Sequence, residues 1–483
     1  MTAPAEDFAL PQRSRLVSAT VAVAFFIQML DGTIIATSLP QMAESFGTDA
    51  VAMSSGFTVY MLTAAVLMPP AGWLADRFGA RRVFLAALAA FTAASVACGL
   101  SNSLAAFLAA RALQGAGAAL LAPVGRLIVL RSAAKQDLVH AIATITWPAL
   151  FAPVIGPVLG SWITVHVGWQ WNFFVNLPLG LVGIGLIAAF VPADRPEPVG
   201  RFDTVGFLAS AGGLSLMLVG LELFVGRHGP EALSLGLALA GTLLGAAAIR
   251  HLLRTPQPLL DLSVFRVETF AVSTLTAGTF CRLAINATPF LLPLLFQVGF
   301  GAGAVEAGAM VFVYFLGNLA MKSVTTPMLR WFGFRTILVV NGILSAISIG
   351  LFAAVGAGTP QWLVALLLFA AGATRSLQFT ALNTLAFADV EGPRRSAAST
   401  LAAILQQLSM LIGIALAVAV VRIAGILRSS EIYDPAATGT ETLATLADFR
   451  AAFLVVAALG ILASLRFVVM PRHAGAEVSG HGR

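Results

Sequence analysis

Runs of about 20 mostly apolar residues recur along the whole chain, separated by short polar or Gly/Pro-rich breaks. An α-helix needs a run of roughly that length to cross the hydrocarbon core of a bilayer. The pattern therefore predicts an all-α membrane protein with about fourteen transmembrane helices. The predicted helices, numbered 1 to 14 in chain order, cover residues 15–39, 51–75, 82–100, 104–131, 138–166, 172–192, 204–226, 231–252, 268–298, 303–328, 335–357, 361–388, 396–426 and 447–470.

Basic residues are concentrated in every second break between the predicted helices. These breaks carry Arg77, Arg81, Arg82, Arg131, Lys135, Arg195, Arg201, Arg250, Arg254, Arg266, Arg330, Arg335, Arg394 and Arg395. Both termini are basic as well, whereas the opposite breaks hold few basic residues and several acids. Because Lys and Arg accumulate in cytoplasmic loops, the pattern predicts cytoplasmic termini and an even number of spans.

Composition agrees with this interpretation, since 58% of the 483 residues are hydrophobic, only 10% are charged and the mean hydropathy is +0.91. The net charge of +6 is spread over the breaks, which the membrane topology explains, so we expect no nucleic-acid partner. Cys98 and Cys281 lie within apolar runs, and no spacing indicates a metal or cofactor site.

Two short segments indicate an internal repeat. The segment "ADRFGARR" (75–82) joins predicted helices 2 and 3, and "LRWFGFRT" (329–336) joins predicted helices 10 and 11. The shared Phe, Gly and Arg positions lie 254 residues apart. We therefore predict an N-terminal six-helix bundle over 1–192, a linker with two transmembrane helices over 193–255, and a C-terminal six-helix bundle over 256–483. Repeats of this kind place a substrate site near the middle of the membrane.

The segment "GWLADRFGARR" (72–82) has a physical reason at each marked position. Gly72 permits close helix contact, and Gly79 permits a tight turn. Asp76 suits the free N–H groups at the start of a neighbouring helix. Arg77 and Arg81 favour the cytoplasmic side. These five residues together form one short motif between predicted helices 2 and 3.

This segment resembles the cytoplasmic motif of the major facilitator superfamily. The resemblance implies that Gly72, Asp76, Arg77, Gly79 and Arg81 form a conformational-switch motif. "RALQGAGAA" (111–119) resembles the family's fourth-helix motif, and "APVIGPVLGSWI" (152–163) resembles its antiporter motif, with Gly156, Pro157 and Gly160 at the matching positions. Other stretches, such as "LDGTIIATSLP" (30–40) and "WQWNFFVNLPLG" (169–180), are similar to the fourteen-helix drug:proton antiporter group (EmrB/QacA-like), and several are closest to its MdtD-like branch. The sequence departs from the family pattern at Ala36, Ser55 and Ser161.

The resemblance implies a proton-coupled multidrug or small-molecule efflux antiporter that works by alternating access in the bacterial inner membrane. We expect a small-molecule substrate, protons and the lipid bilayer as its partners, and a monomer as its oligomeric state. No Walker A loop and no nucleophile–base set is present, so neither an ATP-driven pump nor an enzyme is expected. A channel stays possible, but the repeat and the intramembrane charges favour a transporter.

Charged residues within transmembrane helices are costly and are candidates for function. The predicted helices contain Asp31, Arg111, Arg126, Glu222, Arg282, Lys322 and Arg375. Asp31 and Arg111 both lie roughly 10 Å from the outer ends of their helices, at 1.5 Å per residue. We predict that Asp31 is the proton site and Arg111 its modulator; a purely structural ion pair is the alternative.

The remaining charges point to the cargo. Arg282, Arg375 and Arg126, with Asn286 and Gln297, are the predicted substrate-binding residues. Arg282 and Arg375 have an alternative role in hydrogen bonding to carbonyls freed near Pro289 or Pro293, or to Asn286. Arg126 and Lys322 can instead extend to the interface, and Glu222 is expected to be interfacial or structural. Because guanidinium groups suit carboxylates and phosphates, an exporter of organic anions, either a carboxylate or its metal chelate, is the alternative to a drug exporter.

Overall fold

A computed structural model describes residues 9–479 except 36–37, 49, 135–136, 147, 195, 197–198, 227–229, 303, 357, 432–445 and 472–473. Over these residues the protein consists of helices, turns and loops, which confirms the all-α prediction. The first twelve α-helices are α1 (Ala9–Ile34), α2 (Leu39–Ser45), α3 (Ala50–Val66), α4 (Ala71–Phe78), α5 (Ala80–Gly99), α6 (Leu104–Ser132), α7 (Leu138–Thr146), α8 (Pro148–His166), α9 (Trp171–Phe174), α10 (Asn176–Phe190), α11 (Thr204–Gly226) and α12 (Glu231–Arg254). The others are α13 (Glu268–Thr274), α14 (Ala277–Leu294), α15 (Ala304–Thr336), α16 (Gly342–Leu351), α17 (Gln361–Ala388), α18 (Arg395–Glu431), α19 (Leu446–Arg466) and α20 (Ala476–Ser479).

Among the described residues, eleven helical stretches are long and apolar enough to cross a membrane, or twelve if the bent pair Ser55–Val66 and Ala71–Phe78 forms one span. One stretch, Glu306–Ala354, is 49 residues long, more than twice the length that a bilayer requires. Gly333 interrupts it with non-helical backbone angles (φ 69°, ψ 166°), at the predicted boundary between helices 10 and 11. Predicted helix 5 corresponds to α7 and α8, which flank the undescribed residue 147. The count of fourteen stays a prediction.

The bend between α3 and α4 follows directly from the sequence. The two helices meet at 60°, and Pro69 and Pro70 lie in the break. Neither proline has an N–H group to continue the helical hydrogen bonds, and the ring of each clashes with the preceding turn. Predicted helix 2 is therefore divided in two, and the first part of the cytoplasmic motif lies on the short helix α4.

The internal repeat is visible in the backbone and in one pair of side-chain contacts. Gly79 and Gly333 both have positive φ, 90° and 69°, which residues with a Cβ rarely adopt. Two positions later, Arg81 donates to the backbone carbonyl of Ala188 near the end of α10, and Arg335 donates to that of Val468 just after α19. In each case the arginine satisfies a carbonyl that the end of a helix leaves free.

The chain divides into two compact units, each with its own core. The first unit comprises Met1–Gly220, Leu235–Phe265 and Val390–Ile404, and the second comprises Leu221–Ser234, Arg266–Asp389 and Leu405–Arg483. The core of the first unit includes Ile27, Phe84, Phe91, Leu121 and Val124. The core of the second includes Leu291, Tyr314, Phe352, Leu368 and Phe453.

Glycines permit close helix packing inside the first unit. A Cβ on Gly117 of α6 would lie 2.8 Å from the carbonyl oxygen of Ala87 and 2.8 Å from the amide nitrogen of Phe91, both on α5. Lipid tails are as apolar as leucine side chains, so helices in a membrane associate through such close van der Waals contact rather than through the hydrophobic effect. This contact fixes α6, the helix that carries Arg111, against its neighbour.

Candidate functional site

Asp31 lies near the end of α1, and only 2% of its surface is exposed. Its neighbours on the helix, in "IQMLDGTI", are mostly apolar. Removing a carboxylate from water costs several kcal/mol unless charged and hydrogen-bonding groups replace the lost hydration. The burial of Asp31 therefore depends on donors from other helices.

Three side chains from two other helices supply those donors. Arg111 Nη1 on α6 donates to Asp31 Oδ2 at 2.9 Å, forming a fully buried ion pair. Gln114 Nε2, one turn further along α6, donates to Asp31 Oδ1 at 2.8 Å. Asn176 is the first residue of α10, and its Nδ2 donates to the same oxygen at 2.8 Å. The carboxylate thus joins α1, α6 and α10 in one polar cluster.

Arg111 extends the cluster to α3. Its Nε donates to the carbonyl oxygen of Gly56 at 3.1 Å, its Nη1 also donates to Gln114 Oε1 at 2.6 Å, and its guanidinium carbon lies 4.3 Å from the centre of the Tyr60 ring. The ring face is negatively polarised and attracts the cation. Arg111 Nη2 is buried and has no hydrogen-bond partner within the described part of the chain. One guanidinium thus holds one acid and leaves a donor unused.

The antiporter motif packs against the helix that carries Asp31. A Cβ on Gly156 of α8 would overlap the side chain of Thr33 on α1. Thr33 Oγ1 donates to the carbonyl oxygen of Ala152 on α8 at 3.0 Å. The backbone of Pro157 lies in α8, but its side chain is outside the described residues. Gly156 therefore lets α8 contact α1 within one turn of the buried acid.

The second glycine of that motif anchors a separate polar cluster. The Gly160 carbonyl oxygen accepts hydrogen bonds from Thr164 Oγ1 at 2.7 Å and from Asn172 Nδ2 at 3.3 Å. Asn172 Nδ2 also lies 2.6 Å from Ser38 Oγ. These contacts tie α8 to α9 and to the residue that precedes α2.

The cytoplasmic motif forms an ion-pair chain. Arg131 donates to Asp76 Oδ1 at 2.7 Å and to Asp194 Oδ2 at 3.0 Å. Asp194 also accepts from the backbone N–H groups of Ala80 at 2.6 Å and Arg81 at 3.2 Å, at the start of α5. A carboxylate at a helix N-terminus satisfies free donors and opposes the helix dipole. The sequence suggested such a role for Asp76, and here Asp194 has it at α5.

The other residues of this motif differ in their surroundings. A Cβ on Gly72 would lie 2.8 Å from Ser396 Oγ and 2.9 Å from Thr400 Oγ1 on α18, so glycine is the residue that fits. Arg77, in contrast, is exposed. Gly79 holds the turn between α4 and α5 with its positive φ.

Asp203, next to this motif, connects the start of the first predicted linker helix with the end of the second. It accepts from the backbone N–H of Gly206 at 2.8 Å and of Leu259 at 3.3 Å, and its Oδ1 lies 2.9 Å from His251 Nε2. Burial acts to raise the pKa of Asp203, but these hydrogen bonds outweigh burial and hold the pKa below its ordinary value.

Arg282 of the second unit lies at a break in predicted helix 9. The break separates α13 from α14, and Arg282 donates from α14 to the carbonyl oxygen of Ser273 on α13. A second donor, Nη2, lies 3.1 Å from Asn383 Oδ1 on α17. The sequence located a free carbonyl near Pro289 or Pro293, whereas the carbonyl that Arg282 binds belongs to the α13–α14 break. In this arrangement Arg282 has a structural contact.

The other predicted substrate-binding residues are scattered through the helices. Arg375 is half-buried on α17, with its guanidinium carbon 5.9 Å from the Tyr314 ring centre and 6.0 Å from that of Phe379. Three further positions have different environments: Arg126 is half-buried on α6, Asn286 is half-buried on α14, and Gln297 is exposed in the π-helical turn Leu295–Gly299. Their role in binding stays a prediction.

Sequence reasoning paired Asp31 with Arg111 but missed the other members of the cluster. Gln114 lies in the quoted segment "RALQGAGAA", three residues after Arg111, and this helical spacing is the signal that identifies it. Asn176 stands in "WQWNFFVNLPLG" without any spacing that links it to Asp31. Within the described residues, no group of three or more His, Cys, Asp or Glu side chains is arranged to hold a metal ion.

Many apolar spans, an internal repeat and a buried acid–arginine cluster are together typical of a multi-pass membrane transporter. A sequence profile described as the Major Facilitator Superfamily matches residues 21–414 and 274–483. The chain belongs to the Major Facilitator Superfamily. Its members and structural neighbours are transporters rather than enzymes, and so is this protein.

Curated relatives of the chain carry the name multidrug resistance protein MdtD. The protein from Serratia proteamaculans (strain 568) is 34% identical over 397 residues, covering 82% of this chain and 83% of its own length. The protein from Citrobacter koseri is 35% identical over 411 residues, covering 84% and 86%. These relatives confirm the predicted similarity to the MdtD-like branch.

Solved structures confirm the major facilitator fold. The human organic anion transporter MFSD10 (TETRAN) superposes with a TM-score of 0.66 at 16% identity, covering 94% of this chain and 99% of its own. The proton:xylose symporter XylE, bound to 6-bromo-6-deoxy-D-glucose, gives a TM-score of 0.62 at 14% identity, covering 98% and 99%. At these identities the likeness concerns the fold alone.

Proposed function

We propose that this protein is a proton-coupled efflux antiporter of drug-like small molecules that works by alternating access. The relatives' name, multidrug resistance protein, supports the cargo class. The observation that carries the coupling is the buried Asp31 cluster, in which one titratable carboxylate accepts hydrogen bonds from Arg111, Gln114 and Asn176.

The cluster suggests how a proton drives the transition. When Asp31 is ionised, charge-assisted hydrogen bonds hold α1, α6 and α10 together, and such bonds contribute about 1.5–3 kcal/mol each. When Asp31 binds a proton, the carboxyl group loses its charge and the attraction to Arg111 falls. The helix contacts are then free to rearrange, so the protonation state and the conformational equilibrium are linked. Thr33 and Gly156 transmit this change to α8, because they pack within one turn of Asp31.

We also propose that the protein resides in the bacterial inner membrane as a monomer with both termini in the cytoplasm. The uneven distribution of Lys and Arg between alternate loops supports this orientation. A reporter that is active only in the periplasm, fused after residue 483, is expected to be silent, while a cytoplasmic fluorescent reporter at the same place is expected to be active. The reverse result contradicts the topology.

Proton coupling is tested with purified protein in liposomes that contain a trapped pH-sensitive dye. Adding a transported cationic dye such as ethidium to the wild type is expected to release protons from acidified vesicles. Asp31→Asn is expected to abolish this ΔpH-dependent exchange. Asp448→Asn is the matched control, because Asp448, at the start of α19, is another buried acid. Its Oδ2 lies 3.0 Å from Arg428 Nη2 on α18. Proton release that persists in Asp31→Asn refutes the coupling role.

A further inference from the structure

The short helix α4 is contacted on two of its faces by other parts of the first unit. Gly72 packs against Ser396 of α18. The next residue, Trp73, contacts the segment that precedes α11: its Nε1 donates to the carbonyl oxygen of Gly200 at 3.1 Å, and its ring packs edge-to-face on Phe202 with 5.1 Å between the ring centres. Successive residues of an α-helix point about 100° apart. The contact with α18 and the contact with the linker segment therefore lie on different faces of α4.

Asp203 fixes the segment that Trp73 contacts. It follows Phe202 directly and caps the start of α11 by accepting from the N–H group of Gly206 at 2.8 Å. The same carboxylate accepts from the N–H group of Leu259 at 3.3 Å and lies 2.9 Å from His251 Nε2 of α12. The Asp203 side chain is only 6% exposed. Phe202 therefore cannot shift far without disturbing several buried contacts of its neighbour.

The predicted linker helices α11 and α12 pack closely on one another. A Cβ on Gly241 of α12 would overlap the amide nitrogen of Met217 on α11, and a Cβ on Gly213 of α11 would lie 2.9 Å from the amide nitrogen of Gly245 on α12. Helices that approach over small residues gain van der Waals contact between their backbones. Because Asp203 also joins the start of α11 to the end of α12, the two helices form one packed pair that meets α4 at Phe202.

The start of α18 is held by α6 as well as covered by α4. Ser399 Oγ donates to the carbonyl oxygen of Pro123 on α6 at 2.6 Å. Ser396, one turn earlier on α18, is 6% exposed and lies against Gly72. A reagent in solution therefore reaches position 396 when α4 moves away from α18.

We propose that Trp73 is a positioning residue for the conformational change of the cytoplasmic motif. Through its contacts with Gly200 and Phe202, the α11–α12 pair holds α4 against α18, and α4 leaves α18 when these contacts are released. The linker pair thereby sets how readily the motif moves. This role deepens the proposed alternating access and rests on it for its biological meaning.

The test measures how fast a thiol at position 396 reacts. The Ser396→Cys variant of the full-length protein is purified in an uncharged detergent, and labelling by N-ethylmaleimide is followed by mass spectrometry of its peptides. The labelling rate reports how often α4 leaves α18. Trp73→Phe removes the N–H donor and keeps an aromatic ring, so it is expected to raise the rate about two- to tenfold, as the loss of one hydrogen bond does. Trp73→Ala is expected to raise the rate further, because the ring contact is lost as well.

Two controls distinguish a movement of α4 from a general loss of packing. Trp362→Phe makes the same chemical change at a tryptophan that is 68% exposed, and it is expected to leave the labelling rate unchanged. The native thiols of Cys98 and Cys281 are both buried and are followed in the same digests. They are expected to stay unlabelled. If the Trp73 variants label them as fast as position 396, the protein has loosened as a whole and the positioning role is refuted.

Asp203→Asn tests whether the linker pair acts through Trp73. It is expected to raise the labelling rate at position 396 when Trp73 is present, and to change it by less than about twofold in the Trp73→Ala background, where the contact is already lost. An equal effect in both backgrounds overturns the proposal, and so do unchanged rates in both Trp73→Phe and Trp73→Ala. No substrate or proton gradient is present, so this result is independent of the Asp31→Asn exchange test, and the two proposals fail separately.

Discussion

Removing the Arg111 side chain is expected to destabilise the folded protein strongly. Arg111→Leu leaves the Asp31 carboxylate buried without its cation, and it also removes the donor to the Gly56 carbonyl and to Gln114 Oε1. Breaking a buried ion pair from one side costs about 3–5 kcal/mol. Each additional buried acceptor left without a donor costs about 1–3 kcal/mol, although such terms do not add fully. We therefore expect a loss of at least about 3 kcal/mol in the free energy of unfolding.

The double variant Asp31→Asn/Arg111→Leu distinguishes the free-energy cost of leaving one ion buried alone from the cost of losing side-chain volume. It removes both charges together, so no isolated ion stays buried. Its loss of stability is expected to be smaller than the sum of the two single losses by about 2 kcal/mol, within the range found for contacting residues.

The assay is reversible unfolding in mixed micelles of dodecylmaltoside and SDS, followed by far-UV circular dichroism, for the wild type, both single variants and the double variant. Arg466→Leu, at an exposed position, is the control and is expected to change stability by less than about 0.5 kcal/mol. Single-variant losses that add within about 0.5 kcal/mol refute the view that Asp31 and Arg111 act as a unit.

Three further expectations use the same assay. Gly117→Ala is expected to lose about 1–3 kcal/mol of unfolding free energy, because the new Cβ would lie 2.8 Å from backbone atoms of α5. Gly185→Ala is the control and is expected to show no such loss, because a Cβ there would have nothing within 4 Å. Equal losses in the two variants contradict the packing argument. Asp194→Ala is expected to lose about 0.5–2 kcal/mol, as other helix N-cap losses do, and an unchanged stability argues against its role at α5. For Asp203 the folded-state pKa is depressed, so its contribution to stability is present above the ordinary value of 3.8 and disappears as the pH falls through the folded-state pKa. The stability difference between wild type and Asp203→Asn is therefore expected at neutral pH and is expected to shrink in acid; a difference that grows in acid contradicts it.

The lengths of the apolar runs predicted most of the fold, because the bilayer imposes a similar minimum length on every transmembrane helix. Asp31 and Arg111 were paired from the sequence because equal depth on two neighbouring helices is readable from residue counts. Asn176 was not found, because its contact with Asp31 depends on how the start of α10 packs across α1. That packing is a tertiary property without a local sequence pattern.

The break in predicted helix 9 was missed for a similar reason. The sequence around Leu275 and Thr276 contains no proline, so the apolar run reads as one continuous helix. In the structure, Gly278 lies directly against the Ser273 carbonyl, where a Cβ would overlap it, and Arg282 binds that same carbonyl. The glycine makes the break sterically possible, while the arginine contact that compensates the free carbonyl becomes visible only in three dimensions.

The repeat distinguishes contacts that both halves share from contacts that only one half has, and this distinction leads to a final prediction. Arg81 and Arg335 both satisfy a carbonyl near the end of the last helix of their bundle, which is a backbone need that both halves share. The intramembrane charges differ between the halves: Asp31 binds Arg111, Gln114 and Asn176 in one, and Arg282 binds the Ser273 carbonyl and Asn383 in the other. Arg81→Met and Arg335→Met are therefore each expected to cost about 1 kcal/mol of stability, because the lost hydrogen bonds are partly exposed. The two arginines share no partner, so the double variant is expected to lose the sum of the two within about 0.5 kcal/mol in the micelle unfolding assay. A clearly non-additive loss, or a cost confined to one half, means that the two loops do not perform the same structural task.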